Sequence, residues 1–143
     1  PQVMSGYWKV QDEKNKYFTK DDFFKTGDIA TMNDKGYIKI VDRKKDMIIS
    51  SGYNVYPNEL EDYLATHPDI LEAGVIGVDD KNRGEYIKAF VVTKNKNLSS
   101  SDIISFCKMG LTEYKVPKRI VFIDDLPKTN VGKILRRELR KIT

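Results

Sequence analysis

The chain has 143 residues, enough for one ordinary hydrophobic core or for one domain with part of a second. Hydrophobic residues make up 40% and charged residues 32%, as in soluble globular proteins, and the net charge of +4 favours anionic ligands without indicating nucleic acid. The single cysteine, Cys107, excludes an internal disulfide and favours a reducing compartment, while no signal peptide is visible and the apolar runs are far too short to span a bilayer.

The first third of the chain predicts short strands and turns. Residues 1–36 are rich in aromatic residues, glycine, asparagine and aspartate, and they show no helical period. Residues 33–36 predict a turn and residues 37–41 an alternating strand, whereas residues 47–49 predict a further strand that could pair with it as a hairpin. The charged connector between these strands, residues 42–46, is the expected domain boundary or hinge.

Helices and strands alternate in the rest of the chain. Pro57 predicts the start of a helix that ends at His67-Pro68, and Ser99 with Asp102 predicts a capping box at the start of another. This order predicts an α+β or α/β layer fold. The predicted strands are residues 73–78, 87–92 and 119–123, and the predicted apolar helix faces are Leu60, Tyr63 and Leu64, then Ile103, Cys107 and Leu111, then, in a final helix from Gly132 onward, Leu135, Leu139 and Ile142.

Two polar residues suit a ribose. Asp28 follows a glycine turn in residues 26–28, and its carboxylate could accept hydrogen bonds from both ribose hydroxyls. Arg43 could bind a sugar or a phosphate through its planar fork of donors. Taken alone, such residues are more often part of an ordinary turn or a solvated charge run.

Further candidates combine an unusual neighbour with a basic or aromatic side chain. Gly52, between Ser51 and Tyr53, could let a thin ligand slide past a residue without a side chain, although a plain loop glycine is the more frequent case. Arg83 and Lys115 lie close to predicted strands, where they could hold phosphates or simply keep the surface soluble.

Lys133 is the strongest single candidate. It follows Gly132, beside which a ligand can come close, and its compact mobile charge suits a phosphate or a carboxylate. The basic end of the chain could also form a nucleic-acid face, but no aromatic residue is interleaved and Glu138 interrupts it, so we disfavour that function. His67 is expected at a helix end and Cys107 in the core, and the sequence offers neither a zinc cluster nor a Ser-His-Asp set.

In their order and spacing, these motifs resemble the adenylate-forming superfamily of acyl-CoA synthetases, peptide-synthetase adenylation domains and luciferases. The resemblance extends over essentially the whole chain and is strongest to the long-chain fatty acid–CoA ligases. Residues 26–28 resemble the family's ribose-binding motif, residues 42–47 its interdomain linker, residues 52–61 the loop and helix after it and residues 126–133 its catalytic-lysine motif, while residues 1–8 and 130–139 carry the likeness to the long-chain ligases.

The resemblance implies an α+β fold with a small mixed sheet of about three strands flanked by helices, plus a two-stranded hairpin. Residues 1–42 would be the tail of a large N-terminal adenylating domain and residues 43–143 a C-terminal lid domain, with the hinge at Lys45. The chain begins at Pro1 without a methionine, so we expect a fragment of a longer enzyme. It would be inactive alone, because the family's ATP phosphate loop, metal-binding glutamate motif and acyl pocket lie upstream.

The implied reaction joins a long-chain fatty acid to coenzyme A in two steps. ATP and the acid give an acyl-adenylate and pyrophosphate, and the thiol of coenzyme A then displaces AMP, with Mg²⁺ held by the N-terminal domain. The chain departs from many relatives at Lys45, where they have aspartate, and at Asn54, where some branches have arginine. By the resemblance, Asp28 and Arg43 hold the ribose of ATP or AMP, Lys133 bridges the carboxylate and the nucleotide, Ser51, Gly52 and Tyr53 line the pantetheine passage, and Arg83 and Lys115 meet the phosphates of coenzyme A.

Two other classes of function stay open. One is an adenylating enzyme for another acid or for a carrier-protein acceptor, and the other is a non-catalytic module that binds adenylate or coenzyme A. The expected partners are the fatty acid, ATP, coenzyme A and the chain's own N-terminal domain, without nucleic acid. The expected location is the cytoplasm, with peripheral association at the inner membrane face left open.

Overall fold

A computed structural model describes residues 2, 4–9, 14–80 and 84–142. The chain divides into two compact units, residues 1–44 (unit 1) and residues 45–143 (unit 2). None of the helices in the described residues is long and apolar enough to cross a membrane.

Unit 1 is built around an antiparallel pair of strands, β1 (Asp28–Met32) and β2 (Ile38–Arg43), preceded by a single helical turn, α1 (Lys14–Tyr17). The predicted turn at residues 33–36 joins the strands. There the side-chain Oδ1 of Asn33 accepts the backbone N–H of Lys35 and of Tyr37, each at 3.0 Å, and Gly36 takes a φ of +81°. The helical turn was not predicted, because four residues are too few to show a helical period.

The predicted hairpin between residues 37–41 and 47–49 is wrong. β2 pairs with β1, and Ile48 begins a strand of unit 2 that pairs with a different partner. The reason is the turn at Asn33, which returns the chain onto the residues before it. Hydrophobic alternation identifies a strand but does not choose its partner.

Unit 2 contains a mixed five-stranded sheet. β4, β3, β6 and β5 lie side by side as antiparallel neighbours, and β7 pairs in parallel with β6. The predicted α+β class, with a small mixed sheet and a two-stranded hairpin, is confirmed. The sheet has five strands where about three were expected, because a short hairpin joins β6 through the pair Ser50 and Gly84. The strands are β3 (Ile48–Ser50), β4 (Tyr53–Val55), β5 (Ile70–Asp80), β6 (Gly84–Thr93) and β7 (Arg119–Phe122).

The first two helices of unit 2 begin where the sequence predicts. Pro57 opens α2 (Pro57–Ala65) without the loss of a helical hydrogen bond. Ser99 and Asp102 form a reciprocal capping box at the start of α3 (Ser100–Gly110), which a single 3₁₀ turn (Glu113–Lys115) follows. His67 lies just beyond α2, where its Nδ1 accepts the N–H of Asp69 at 3.1 Å.

The predicted long final helix is wrong. Only one turn forms, α4 (Arg136–Leu139), and the residues before it make a tight hairpin. Gly132 has a φ of +80°, which is incompatible with a right-handed helix, and the N–H of Leu135 donates to the carbonyl of Pro127. The apolar spacing of Leu135 and Leu139 therefore does not indicate one continuous helix. The backbone changes direction in this segment, and the spacing reflects packing against the sheet.

Each face of the sheet carries its own hydrophobic cluster, as the alternation of side chains along a strand requires. On one face, Val75 of β5 packs beneath α2 and α3. On the other face, its neighbour Ile76 packs beneath the C-terminal segment. Gly74 faces this second cluster, where a Cβ would lie 2.9 Å from Cδ1 of Leu139. The first cluster includes Val55, Leu60, Leu64, Ile87, Ala89, Val91, Ile103 and Cys107, and the second includes Phe90, Leu126 and Leu139.

The core position of Cys107 gives a direct chemical prediction. The side chain is fully buried, and burial raises the pKa of its thiol to about 11. Because the thiolate is the reactive form, we expect the folded protein to resist a thiol reagent at about pH 8, and the denatured protein to react fully. The absorbance of the chromophore that the thiol reagent releases, recorded with and without denaturant, measures the reactivity of Cys107 in the denatured and the folded protein. Rapid, complete labelling of the folded chain would contradict this core placement.

Candidate functional site

Asp28 and Arg43 lie side by side at the open end of the unit 1 hairpin. They are register partners at the start of β1 and the end of β2, and Arg43 Nε donates to Asp28 Oδ1 at 3.2 Å. Gly27 has a φ of +77°, and its carbonyl accepts the N–H of Lys44 at 2.8 Å, which extends the pairing beyond the strand ends. The antiparallel register therefore brings together two predicted site residues that are 15 positions apart.

A buried carboxylate fixes the end of β2. Asp42 is 2% exposed, and its Oδ1 accepts the backbone N–H of Arg43 at 2.7 Å. The Arg43 side chain itself is more than half exposed, while that of Asp28 is one-quarter exposed. The pair thus presents acceptor oxygens next to guanidinium donors at an accessible edge, an arrangement that suits the vicinal hydroxyls of a sugar.

Ser51 and Gly52 form the turn between β3 and β4, and Tyr53 is the first residue of β4. Ser51 and Gly52 have φ values of +51° and +84°, so both central residues are left-handed, as in a type I′ hairpin turn. Ser51 and Tyr53 line a cavity of about 590 Å³ in unit 2. The Tyr53 ring stacks on the Tyr114 ring, with centroids 4.4 Å apart and planes 19° apart.

Lys108 and Lys118, which were not among the predicted site residues, line this cavity, and so does Tyr114. Lys115, a predicted site residue, is not among the lining residues, and its ammonium contacts Oε1 of Glu59 at 2.5 Å. Arg83 lies outside the described residues. The missed signal for Tyr114 and Lys118 was the connector after α3, residues 114–118, where one aromatic and two basic residues lie within five positions, whereas Lys108 lies within α3 and carries no such signal.

Lys133 stands at the tip of the C-terminal hairpin. Thr129 and Lys133 flank a three-residue loop. The Thr129 N–H donates to the Lys133 carbonyl at 2.8 Å, and the Lys133 N–H donates to Thr129 Oγ1 at 3.1 Å. Gly132 supplies the left-handed residue that such loops require. The Lys133 side chain is exposed, and its ammonium has no hydrogen-bond or ion-pair partner among the described residues. The backbone is thus fixed while the charge stays available.

The Lys133 hairpin and the cavity lie on opposite faces of the unit 2 sheet. Ile134 packs against the cluster formed by Ile76 and Phe90. Ile104 and Tyr114, which line the cavity, pack against the cluster on the other face. Lys133 is not among the residues that line the cavity. Unit 2 therefore has two separate surfaces, one at Lys133 and one at the cavity.

Lys45, the predicted hinge residue, is the first residue of unit 2 and lies exposed in a turn. The next residue, Asp46, is largely covered and pairs with Arg140 at 3.2 Å. No group of three or more His, Cys, Asp or Glu side chains suited to a metal ion occurs in the part of the chain that the structure describes.

Residues 59–133 match the AMP-binding enzyme C-terminal domain, and this match covers more than half of the chain. The chain therefore belongs to the family of AMP-binding enzyme C-terminal domains, and the predicted resemblance to adenylate-forming enzymes is confirmed. The Asp28–Arg43 pair precedes the matched segment, whereas Lys133 is its last residue.

The chain is 54% identical to a long-chain-fatty-acid–CoA ligase of Yersinia pestis and 52% identical to one of Escherichia coli O6:H1, in each case over 98% of this chain and 25% of the relative. It also superimposes on the crystal structure of ATP-bound MatB from Rhodopseudomonas palustris with a TM-score of 0.91, at 35% identity, over 98% of this chain and 28% of that one. The chain thus spans about a quarter of the length of the curated relatives that it matches.

Proposed function

We propose that this chain is the C-terminal lid, with an adjoining part of the large domain, of an ATP-dependent long-chain fatty acyl-CoA ligase. In the first step, a carboxylate oxygen of the fatty acid attacks the α-phosphorus of ATP, and pyrophosphate leaves. In the second, the sulfur of coenzyme A, after loss of its proton, attacks the acyl carbonyl carbon, and AMP leaves. The supporting comparison is the identity of at least half with long-chain ligases over nearly the whole chain.

The observation that carries the proposal is the placement of Lys133 and the cavity on opposite faces of one sheet. A lid with two such faces can serve two successive reactions, because turning about a hinge exchanges one surface for the other. Lys45 occupies the hinge position in this proposal. It is exposed in a turn at the start of unit 2, where few neighbours restrain a change of backbone angles.

In the adenylation step, Asp28 and Arg43 hold the ribose hydroxyls of the nucleotide. Their side chains already lie in contact, so the pair is organised before a ligand arrives. Lys133 bridges the carboxylate and the α-phosphate. Its unpaired ammonium can offset the negative charge that accumulates as the carboxylate oxygen approaches phosphorus.

In the thioester step, the turn at Ser51, Gly52 and Tyr53 lines the passage for pantetheine. Gly52 has no side chain, and apart from its own atoms and those of its chain neighbours no heavy atom lies within 4 Å of the place of its missing Cβ. Lys108 and Lys118 border the adjoining cavity and supply cations for the phosphates of coenzyme A. Lys115 and Arg83 would also contact the phosphates of coenzyme A in this proposal. Lys115 would then leave Glu59 when coenzyme A binds.

Residues 1–42 belong, in this proposal, to the large N-terminal domain. The face of the β1–β2 pair that carries Met32, Ile38 and Ile40 leaves each of these side chains at least 65% exposed. An isolated two-stranded hairpin is marginally stable, and a contiguous apolar face indicates a surface that another part of a protein covers. In this proposal the larger domain would also supply the acyl pocket, the phosphate loop and the residues that hold Mg²⁺, and the ion would supply positive charge for the phosphates of ATP. We propose that the enzyme acts in the cytoplasm, with peripheral association at the inner membrane face as the alternative.

A substrate panel tests the function. The full-length protein that contains this chain is expected to form acyl-CoA fastest from long-chain fatty acids, with stoichiometric AMP and pyrophosphate, and to leave aryl acids unused. Mass spectrometry of the thioester products measures this. The 143-residue chain alone is the matched control and is expected to form no acyl-CoA. A preference for an aryl acid or for a carrier-protein thiol would assign another adenylating function, and acyl-CoA formation by the short chain would contradict the proposed division of the site.

A further inference from the structure

Arg136 anchors the Lys133 hairpin to α2. Its Nη2 atom donates to Glu61 Oε2 and to Asn58 Oδ1, each at 2.7 Å. The side chains of Arg136 and Glu61 are 14% and 13% exposed, so this ion pair is largely shielded from water. Asn58 and Glu61 precede Arg136 by 78 and 75 positions, and the contact therefore ties the end of the chain to its middle.

Glu61 extends this connection to the sheet. Its second carboxylate oxygen, Oε1, accepts the backbone N–H of Val75 at 2.8 Å. β5 has β6 as a neighbour on one side, and this N–H points to the other, at the outer edge of the sheet. One carboxylate thus links α2, the edge of β5 and the segment that carries Lys133.

The neighbouring arginine offers a contrast. Arg137 has the same charge, but its side chain is 79% exposed and its ion-pair partner is the adjacent Glu138 at 3.2 Å. Arg136 is instead held in place although its Nε atom is buried without a hydrogen-bond partner in the described part of the chain. A largely buried ion pair with an unsatisfied donor is weak evidence for a gain in stability. The contacts of Arg136 with Glu61 and Asn58 do restrict where the C-terminal segment can lie on α2.

The anchor acts close to the proposed reacting group. Arg136 is three residues beyond Lys133, and the hydrogen bond from the Leu135 N–H to the Pro127 carbonyl closes the hairpin between them. On the opposite strand of the hairpin, Lys128 contacts Glu72 of β5 at 2.6 Å, but this pair is more exposed. Loss of the Arg136 contact would release the shielded side of the hairpin and let the tip move.

We propose that Arg136, acting through Glu61 and Asn58, is a positioning residue that sets where the Lys133 ammonium stands during adenylation. This inference rests on the proposed adenylation role of Lys133. Arg136 does not touch the reacting atoms. It aligns the hairpin, so its loss affects the half-reaction that uses Lys133 and spares the half-reaction that uses the other face of the lid.

The test uses the full-length enzyme with Arg136→Ala, Arg136→Lys, Arg137→Ala and Lys133→Ala. Adenylation is measured as fatty-acid-dependent exchange of pyrophosphate into ATP. Thioester formation is measured from supplied acyl-adenylate and coenzyme A, and thermal unfolding shows whether each variant folds. We expect Arg136→Ala to lower the adenylation rate by about 100-fold, the effect of a displacement near 1 Å. Thioester formation should stay close to the wild-type rate. Arg136→Lys keeps the charge but not the planar fork and should show a smaller loss of the same kind.

The control Arg137→Ala should leave both half-reactions unchanged. Two outcomes would overturn this inference and leave the proposed function standing. One is an equal loss of both half-reactions in Arg136→Lys. The other is a wild-type adenylation rate in either Arg136 variant while Lys133→Ala abolishes adenylation. If Arg136→Ala does not fold, the selective loss of adenylation is tested with Arg136→Lys. Normal adenylation by Lys133→Ala would overturn the proposed function and this inference with it.

Discussion

Replacement of Lys133 by alanine in the proposed full-length ligase is expected to lower acyl-adenylate formation by about 100- to 1,000-fold, the loss typical when one donor to a developing negative charge is removed. The charge that Lys133 would meet is shared between the incoming carboxylate and the α-phosphate. The side chain is exposed and has no partner among the described residues, so its removal leaves the fold intact. Pyrophosphate exchange measures the loss.

Thioester formation from supplied acyl-adenylate should be largely spared in the same variant, because Lys133 lies on the face of the sheet opposite the cavity. Lys141→Ala is the matched control. Lys141 is another exposed lysine of the C-terminal segment, and it pairs with Glu138 at 2.7 Å. Its loss should change neither half-reaction. An equal decrease of both half-reactions in Lys133→Ala would show that Lys133 is not specific to adenylation.

The opposite selectivity is expected for Gly52→Leu. Leucine adds a side chain beside Ser51 and Tyr53, where the structure leaves open space, and so obstructs the proposed passage for pantetheine. We expect thioester formation to fall on the order of 100-fold, since a small displacement of a reacting group costs this much. Adenylation should continue. The rate at which the coenzyme A thioester forms from supplied acyl-adenylate measures the effect.

Backbone strain is the competing explanation for Gly52→Leu, and Gly36→Leu controls for it. Gly36 has a φ of +81°, close to the +84° of Gly52, and for both glycines no heavy atom beyond the chain neighbours lies within 4 Å of the place of a Cβ. Both substitutions therefore cost about 1–2 kcal/mol of backbone energy. Gly36→Leu should lower the melting temperature without separating the half-reactions. A selective loss of thioester formation in Gly36→Leu as well would assign the effect to stability.

Local signals in the sequence were sufficient for several elements. Pro57 and the Ser99–Asp102 capping box mark helix starts that the structure has at the same residues, because each signal acts within one helical turn. The turn at Asn33 is also as predicted, since its hydrogen bonds lie within five residues. Motif order was enough for the family, which the match over residues 59–133 confirms.

Where a feature depends on distant partners, the sequence predicts less. The alternation of residues 37–41 predicts a strand but not its pairing with β1. The apolar spacing after Gly132 predicts a helix, whereas the segment is a hairpin followed by one helical turn. Both errors have one cause. A hydrophobic period reports which side chains are buried, and the same set can be buried by more than one backbone path.

For the site, the sequence alone identified Asp28, Arg43, Gly52 and Lys133 as chemically suited groups, and their roles stay predictions. Tertiary structure decided their setting: the contact of Arg43 with Asp28, the stacking of Tyr53 on Tyr114 and the anchoring of Arg136 to Glu61. The partners in these contacts are separated by 15 to 75 positions. Residue chemistry is a property of the chain, whereas such contacts exist because strand register and the two-faced core bring distant segments together.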